Sequence, residues 1–191
     1  MATSAPGRIF FFFFIFTIIA RDLSCLLRVS LETSETIVPI RTEVEHCKCY
    51  LDIQRKRYED KFDVLWDIPE EILDYRIVKL VLQPLVENAI YHGMKPMSRK
   101  GCITVSGRLL EGFVELSVSD DGQGMTDSSL ALIRESLNGE SLPEDKHIGV
   151  CNVNQRLKLF FGDEYGLLVE SSRDTGTTVL LRIPQKKMNI P

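Results

Sequence analysis

Hydrophobic and polar positions follow two different periods along this chain, and the switches between them mark out its elements. The period is helical over 23–58. Leu23, Leu26 and Leu27 form one apolar stripe; Val44, Cys47, Leu51, Gln54 and Tyr58 form a second. Pro39 separates them. Ser34 or Thr36 closes the first stripe, and Thr42 with Glu45 fits a capping box for the second. The charged run QRKRYEDK at its end is read as solvated. Period two takes over at FDVLWDI (62–68), a strand that stops at Pro69. A further helix is predicted over 70–92, with Ile77, Leu80, Val81, Leu85, Val86, Ala89 and Ile90 facing the core. Pro84 should kink it, because proline lacks the N–H and crowds the preceding turn. Gly93 is a natural stop.

Two alternating runs, 103–109 and 113–120, predict a hairpin turning at Glu111-Gly112. A second hairpin is predicted from 167–172 and 177–183, turning over 173–176. Between them, 150–161 reads as a helix with Val153, Leu157 and Phe160 on one stripe. Residues 121–149 are rich in turn formers and weakly periodic. So long a connection suits a functional lid.

Parity within the 113–120 strand places Asp120 on the same face as Val114, Leu116 and Val118. A carboxylate at the end of a buried row needs a donor. Gly122 and Gly124 follow it and leave room for a close approach. Glu87, Asn88 and His92 form a second cluster, the last two four apart on one helix face. The oxygens of Glu87 and Asn88 suit a hard cation such as Mg²⁺, which travels with phosphates. His147-Ile-Gly149-Val150 opens the 150–161 helix, where free N–H groups favour an anion. Asp174-x-Gly176-Thr177-Thr178 alone is only a hairpin turn. His46, Cys47 and Cys49 cluster, but successive helical residues point in different directions, which argues against a metal site.

In this order the clusters resemble the four boxes of the histidine-kinase, Hsp90, gyrase and MutL type of ATP-binding domain (HATPase_c, the GHKL or Bergerat fold). The boxes here are LQPLVENAIYHG (82–93), DDGQG (120–124), IGVCNVNQRL (148–157) and GTT (176–178). The first, preceded by IPEEI, is similar to the LytS/YehU type of sensor histidine kinase. So are LSCLLRVSL (23–31) and VPIRTEVEHCKCYLDIQRKRY (38–58), which match that family's linker. The resemblance implies a two-layer α/β sandwich, with a mixed, mostly antiparallel sheet and helices on one face. It implies a linker over 23–59 and an ATP-binding domain over 60–187, and leaves the apolar segment over 1–22 unassigned.

The resemblance also implies roles. Asn88 coordinates the Mg²⁺ that bridges the ATP phosphates. Glu87 acts as base or polarises the acceptor. Asp120 accepts from the adenine amino group, and Thr177 supports Asp120 through a water. Gly122 and Gly124 admit the nucleotide. Gly149, Val150 and Asn152 present their N–H groups to the phosphates, with His92 nearby. A basic residue is usual where Tyr91 stands, so Lys95 takes over its phosphate contact. Residues 125–148 form the ATP lid. The family's phosphoacceptor box lies further upstream; no match to it is found, and nothing before Arg21 matches the family. This chain is therefore expected to bind ATP without labelling its own histidines. The family pattern further implies transfer to a response regulator, a homodimer through upstream helices, and a parent anchored in the bacterial inner membrane. The alternatives are a nucleotide-gated binding module without kinase activity, and a serine kinase of the anti-sigma type, which the linker disfavours.

Charge and cysteine content narrow the reading. With 23 Lys+Arg against 27 Asp+Glu, the net charge is -4. That argues against a nucleic-acid partner bound through a basic surface. Five unevenly spaced cysteines do not form a disulfide framework, which favours a reducing, cytosolic setting. The run IFFFFFIFTIIA (9–20) holds twelve uncharged residues. As a helix it reaches about 18 Å, short of a hydrocarbon core of about 30 Å.

Overall fold

The computed structural model describes residues 35–58, 61–141 and 147–186. The first apolar stripe of the linker and the phenylalanine run lie outside these residues.

One five-stranded sheet organises the molecule. Its strands are β2 (Phe62–Asp67), β4 (Gly101–Leu110), β5 (Phe113–Asp120), β6 (Gly166–Ser172) and β7 (Gly176–Pro184). Their order is β2-β4-β5-β7-β6. β2 runs parallel to β4, and every other pair is antiparallel. Both hairpins form as the alternation predicts. Leu110 pairs with Phe113 across the first turn, where Gly112 has φ +86°.

The sheet is two-faced because its side chains alternate. Val105, Val118 and Val179 make one buried row, and Gly107, Leu116 and Leu181 the next. The opposite face carries hydroxyls: Ser106 pairs with Ser117 at 2.7 Å, and Ser119 with Thr178 at 2.6 Å. Helices cover the apolar face. They are α1 (Ile40–Arg57), α2 (Leu82–Asn88), α3 (Asp127–Asn138) and α4 (Ile148–Phe161). The expected α/β sandwich is therefore present. A separate two-stranded ribbon joins β1 (Ile37–Pro39) to β3 (Arg76–Val78).

Several expectations need correction. The helix predicted over 70–92 is instead a 3₁₀ turn (Glu70–Ile72), β3, and only then α2. Ile77 therefore packs from a strand, and Leu80 sits in a turn with φ +59°. Pro84 causes no kink. It is the third residue of α2, inside the first turn, where helix N–H groups have no intrahelical partner anyway. Thr42 does not cap α1. The helix starts at Ile40 after Pro39, without a side-chain cap. The α1 stripe itself is as predicted, with Val44, Cys47, Leu51 and Gln54 buried.

The expected lid also needs correction. Half of 125–148 is a docked helix, α3. Thr126 accepts from the Ser129 N–H at 3.3 Å, and Gly139 ends the helix in left-handed backbone. Ile133 and Leu137 are buried, and Arg134 donates to the Val169 carbonyl at 2.8 and 3.0 Å. Phe160 is not on the core stripe of α4; it is exposed, while Val153 and Leu157 are buried. Cys49 is disulfide-bonded, which departs from the expectation of reduced thiols; Cys47, Cys102 and Cys151 are free.

Candidate functional site

The site lies at the end of the sheet where β5 finishes. Asp120 closes the apolar row that begins at Val114, and it pairs in register with Ile103 and Thr177. Its carboxylate is buried, as parity predicts. Oδ1 accepts from the Gly122 N–H at 2.9 Å, and the Thr177 amide also faces the carboxylate. Burial pushes the carboxyl up to about 6, against the pull of those two amides. Asp121 behaves oppositely. Burial acts to raise it, but Arg99 at 2.6 Å and the Cys102 N–H at 2.7 Å hold it below the usual carboxylate range.

The glycines around Asp120 are demanded by the protein's own packing. A Cβ on Gly93 would stand 2.5 Å from Asp120 Oδ1. One on Gly122 would stand 2.5 Å from the Gly93 Cα. Gly124 has φ +62°, and a side chain there would overlap the Ser172 carbonyl. Gly93 is thus the point where the helical layer touches the strand end, not a helix stop.

A cavity of about 380 Å³ opens beside this strand end. Asn88, His92, Asp120, Gly124 and Thr177 line it. So do His147, from the anion-favouring start of the 150–161 helix, and Thr126, Ser129 and Arg173, which the sequence did not assign to a site. A second cavity of about 350 Å³ is lined by Glu87, Tyr91, Gly149 and Val150. Asn88 and His92 line both, so the two spaces share that wall. α2 then passes into a π-helical turn (Ala89–Met94), marked by the Lys95 N–H bonding to the Ile90 carbonyl at 2.8 Å. Such turns concentrate at functional sites.

Three expected residues stand apart from both cavities. Lys95 lays its ammonium over the Tyr91 ring, 5.8 Å from the centroid. Asn152 is exposed on α4. Gly122 lies behind Asp120, facing a shallow recess with Met97 and Arg99. Thr177 bonds Ser171 Oγ through its hydroxyl at 2.9 Å, so its backbone, not its hydroxyl, meets Asp120 in this structure. Among the described residues, no group of three or more His, Cys, Asp or Glu could hold a metal ion.

The end-of-strand carboxylate and the helix-borne asparagine thus face one shared cavity. The family described as histidine kinase-, DNA gyrase B- and HSP90-like ATPase matches residues 73–187, and the chain belongs to it. Membership implies ATP binding. A histidine kinase family matches residues 17–62, starting slightly upstream of the expected limit at Arg21. Over 163 residues the chain is 36% identical to sensor histidine kinase YesM of Bacillus subtilis, covering 85% of this chain and 26% of YesM. It is 32% identical to sensor protein kinase HptS of Staphylococcus aureus, covering 90% of this chain and 33% of HptS. The chain thus spans about a third or less of these relatives. The catalytic domain of histidine kinase ThkA shares the fold, with a TM-score of 0.60 at 16% identity, over 82% of this chain and 100% of that one. ThkA in complex with the response regulator protein TrrA aligns with a TM-score of 0.58 at 17% identity, over 96% of this chain and 53% of that one.

Proposed function

We propose that this chain is the ATP-binding catalytic part of a sensor histidine kinase, with 23–59 as its linker and 60–187 as its ATP-binding domain. The carrying observation is the pair of cavities that share Asn88 and His92. Adenine fits the first, where the buried Asp120 carboxylate accepts from its amino group. The phosphates extend toward Asn88 and His92, and the γ-phosphate reaches the second cavity beside Glu87. There Gly149 and Val150 offer the N–H groups that open α4. Lys95 and Asn152 are left out of this assignment.

The donor set fits a hard cation poorly on its own, since Asn88 is the one oxygen ligand assigned to it. It fits Mg²⁺ arriving with ATP, whose phosphates complete the oxygen shell. That ion neutralises charge on the phosphates when bound. Asn88 orients the phosphate chain, and Glu87 accepts a proton from, or polarises, the incoming imidazole. Catalysis by these residues is mainly alignment. His46 and His147 are buried, and His92 lies one helical turn from Asn88, where it cannot easily swing into line for attack on the γ-phosphate, so the acceptor imidazole is presented to the site from elsewhere. A response regulator then takes the phosphoryl group, and the parent acts as a membrane-anchored homodimer. No helix among the described residues is long and apolar enough to cross a membrane.

Titration calorimetry tests this reading. ATP affinity should rise when Mg²⁺ is added, and Asn88→Ala should abolish that rise while leaving Mg-free ATP binding in place. An Mg²⁺ effect that survives Asn88→Ala would sink the assignment.

A further inference from the structure

The most deeply buried carboxylate in the described residues has no part in the chemistry above. Glu43 lies on α1 and is 1% exposed. Its oxygens accept from the backbone N–H groups of Leu80, Val81 and Leu82, at 2.6, 2.9 and 3.2 Å. Those amides are the turn into α2 and its first residue. They are donors that a helix start leaves without a partner of its own. The linker helix therefore supplies the cap for the asparagine helix, from 37 or more residues away in sequence.

The capped turn is strained. Leu80 has φ +59°, a region that a leucine rarely adopts. Such backbone persists only where its surroundings over-determine it. Glu43 grips it from one side. Arg156 of α4 grips it from the other, donating to the Lys79 carbonyl at 2.6 Å and to Leu80 at 3.3 Å. Further along, α1 stays beside α2. The Tyr58 and Tyr91 rings meet edge-on at 6.5 Å between centroids, and the Tyr50 hydroxyl lies near the Glu87 carboxylate. The contacts 43 to 80–82, 50 to 87 and 58 to 91 run in one direction along both helices. Asn88 sits inside that span, about 9 Å of helix beyond Leu82. Asp120 sits outside it, fixed by strand register and by Gly122.

We propose that Glu43 is a positioning residue: by capping the Leu80–Leu82 turn it sets where Asn88 stands, and so couples the linker helix to the phosphate end of the site but not to its adenine end. The proposal rests on the nucleotide-binding reading above. It requires that loss of the cap be felt by a ligand's phosphates and not by its base.

The test compares two ligands on the full chain, Mg-ATP and adenosine, by calorimetry. In Glu43→Ala, the Kd for Mg-ATP should rise about ten-fold, the scale of one lost charge-assisted hydrogen bond, while adenosine affinity stays within about two-fold. Glu43→Gln keeps one acceptor oxygen and the side-chain shape, so it should show a smaller loss of the same selective kind. It carries the test if the alanine variant does not fold. Amide exchange at Leu80–Leu82 should speed up in both. Equal losses for the two ligands would mark Glu43 as a general support of the fold and overturn the proposal. Unchanged Mg-ATP affinity in a folded variant would overturn it too. If the unsubstituted chain binds neither ligand, the nucleotide-binding reading fails first and takes this one with it.

Discussion

The two ends of the site are held in place by different means. At the Asp120 end, everything is backbone: strand register, two amides on the carboxylate, and glycines packed too closely for any side chain. At the Asn88 end, the helix is short, continues as a π-helical turn, and is seated by side chains from α1 and α4. Backbone registration admits one geometry. Side-chain seating can be reset by moving the helix that supplies the side chains. A base needs a fixed pocket, and a phosphate chain that must be aligned for transfer gains from an adjustable one.

The largest break in this contrast should come from Gly176→Ala. Gly176 has φ +100°, and a Cβ there would overlap the Asp120 carbonyl. Clash and strain together should cost about 3 kcal/mol or more, read as a fall in thermal stability. Gly149→Ala is the control from the other end. Nothing lies within 4 Å of its added Cβ, so its effect should stay within about 1 kcal/mol. Comparable losses in the two variants would erase the distinction.

Asp120→Asn gives the next effect. An amide offers the adenine edge a different donor–acceptor pattern. Loss of a hydrogen bond to a charged group is worth about 1.5–3 kcal/mol, so ATP affinity should fall ten-fold or more. The raised carboxyl adds a pH signature. It titrates near 3.8 when unperturbed and at about 6 in the fold. The folded state holds this proton more tightly, so the resulting stability is complete below about pH 4 and is lost as pH rises through 6. ATP binding should run the other way, weakening as pH falls through 6 and the acceptor is protonated. Melting curves and titrations between pH 4 and 7.5 should show both trends, and Asp120→Asn should flatten both. A binding profile of the same shape in wild type and variant would remove Asp120 from the adenine site.

The smallest effect is expected at Lys95. Its ammonium lies over Tyr91 and lines neither cavity. Lys95→Ala should change Mg-ATP affinity by less than about two-fold. A larger drop would return Lys95 to the phosphates.

The Asp120 end was the legible one, for a physical reason. Strand parity is local, and it put Asp120 on the buried face from eight residues of sequence. The two hairpins and α4 were readable on the same grounds. What escaped was set by distant contacts. β1 and β3 are three residues each, too short for a period to register. Glu43 reads as an ordinary exposed helix glutamate until Leu80 is folded against it. The left-handed turn at Leu80 carries no glycine or asparagine to announce it. α3 was missed differently, because its signal was present. Leu130, Ile133 and Leu137 have helical spacing after the Thr126 cap and before Gly139, but the surrounding glycines and Pro143 outweighed them.

The turn at Glu111-Gly112 has a practical consequence. It sits at the Leu110–Phe113 end of the first hairpin, whereas Asp120 lies seven residues further along β5, about 23 Å away at strand rise. Both turn residues are exposed, and nothing stands within 4 Å of a side chain built on Gly112. A fluorophore or affinity tag grafted there would report on the protein from the far pole of the sheet, without touching the wall of either cavity or the helix that carries Asn88.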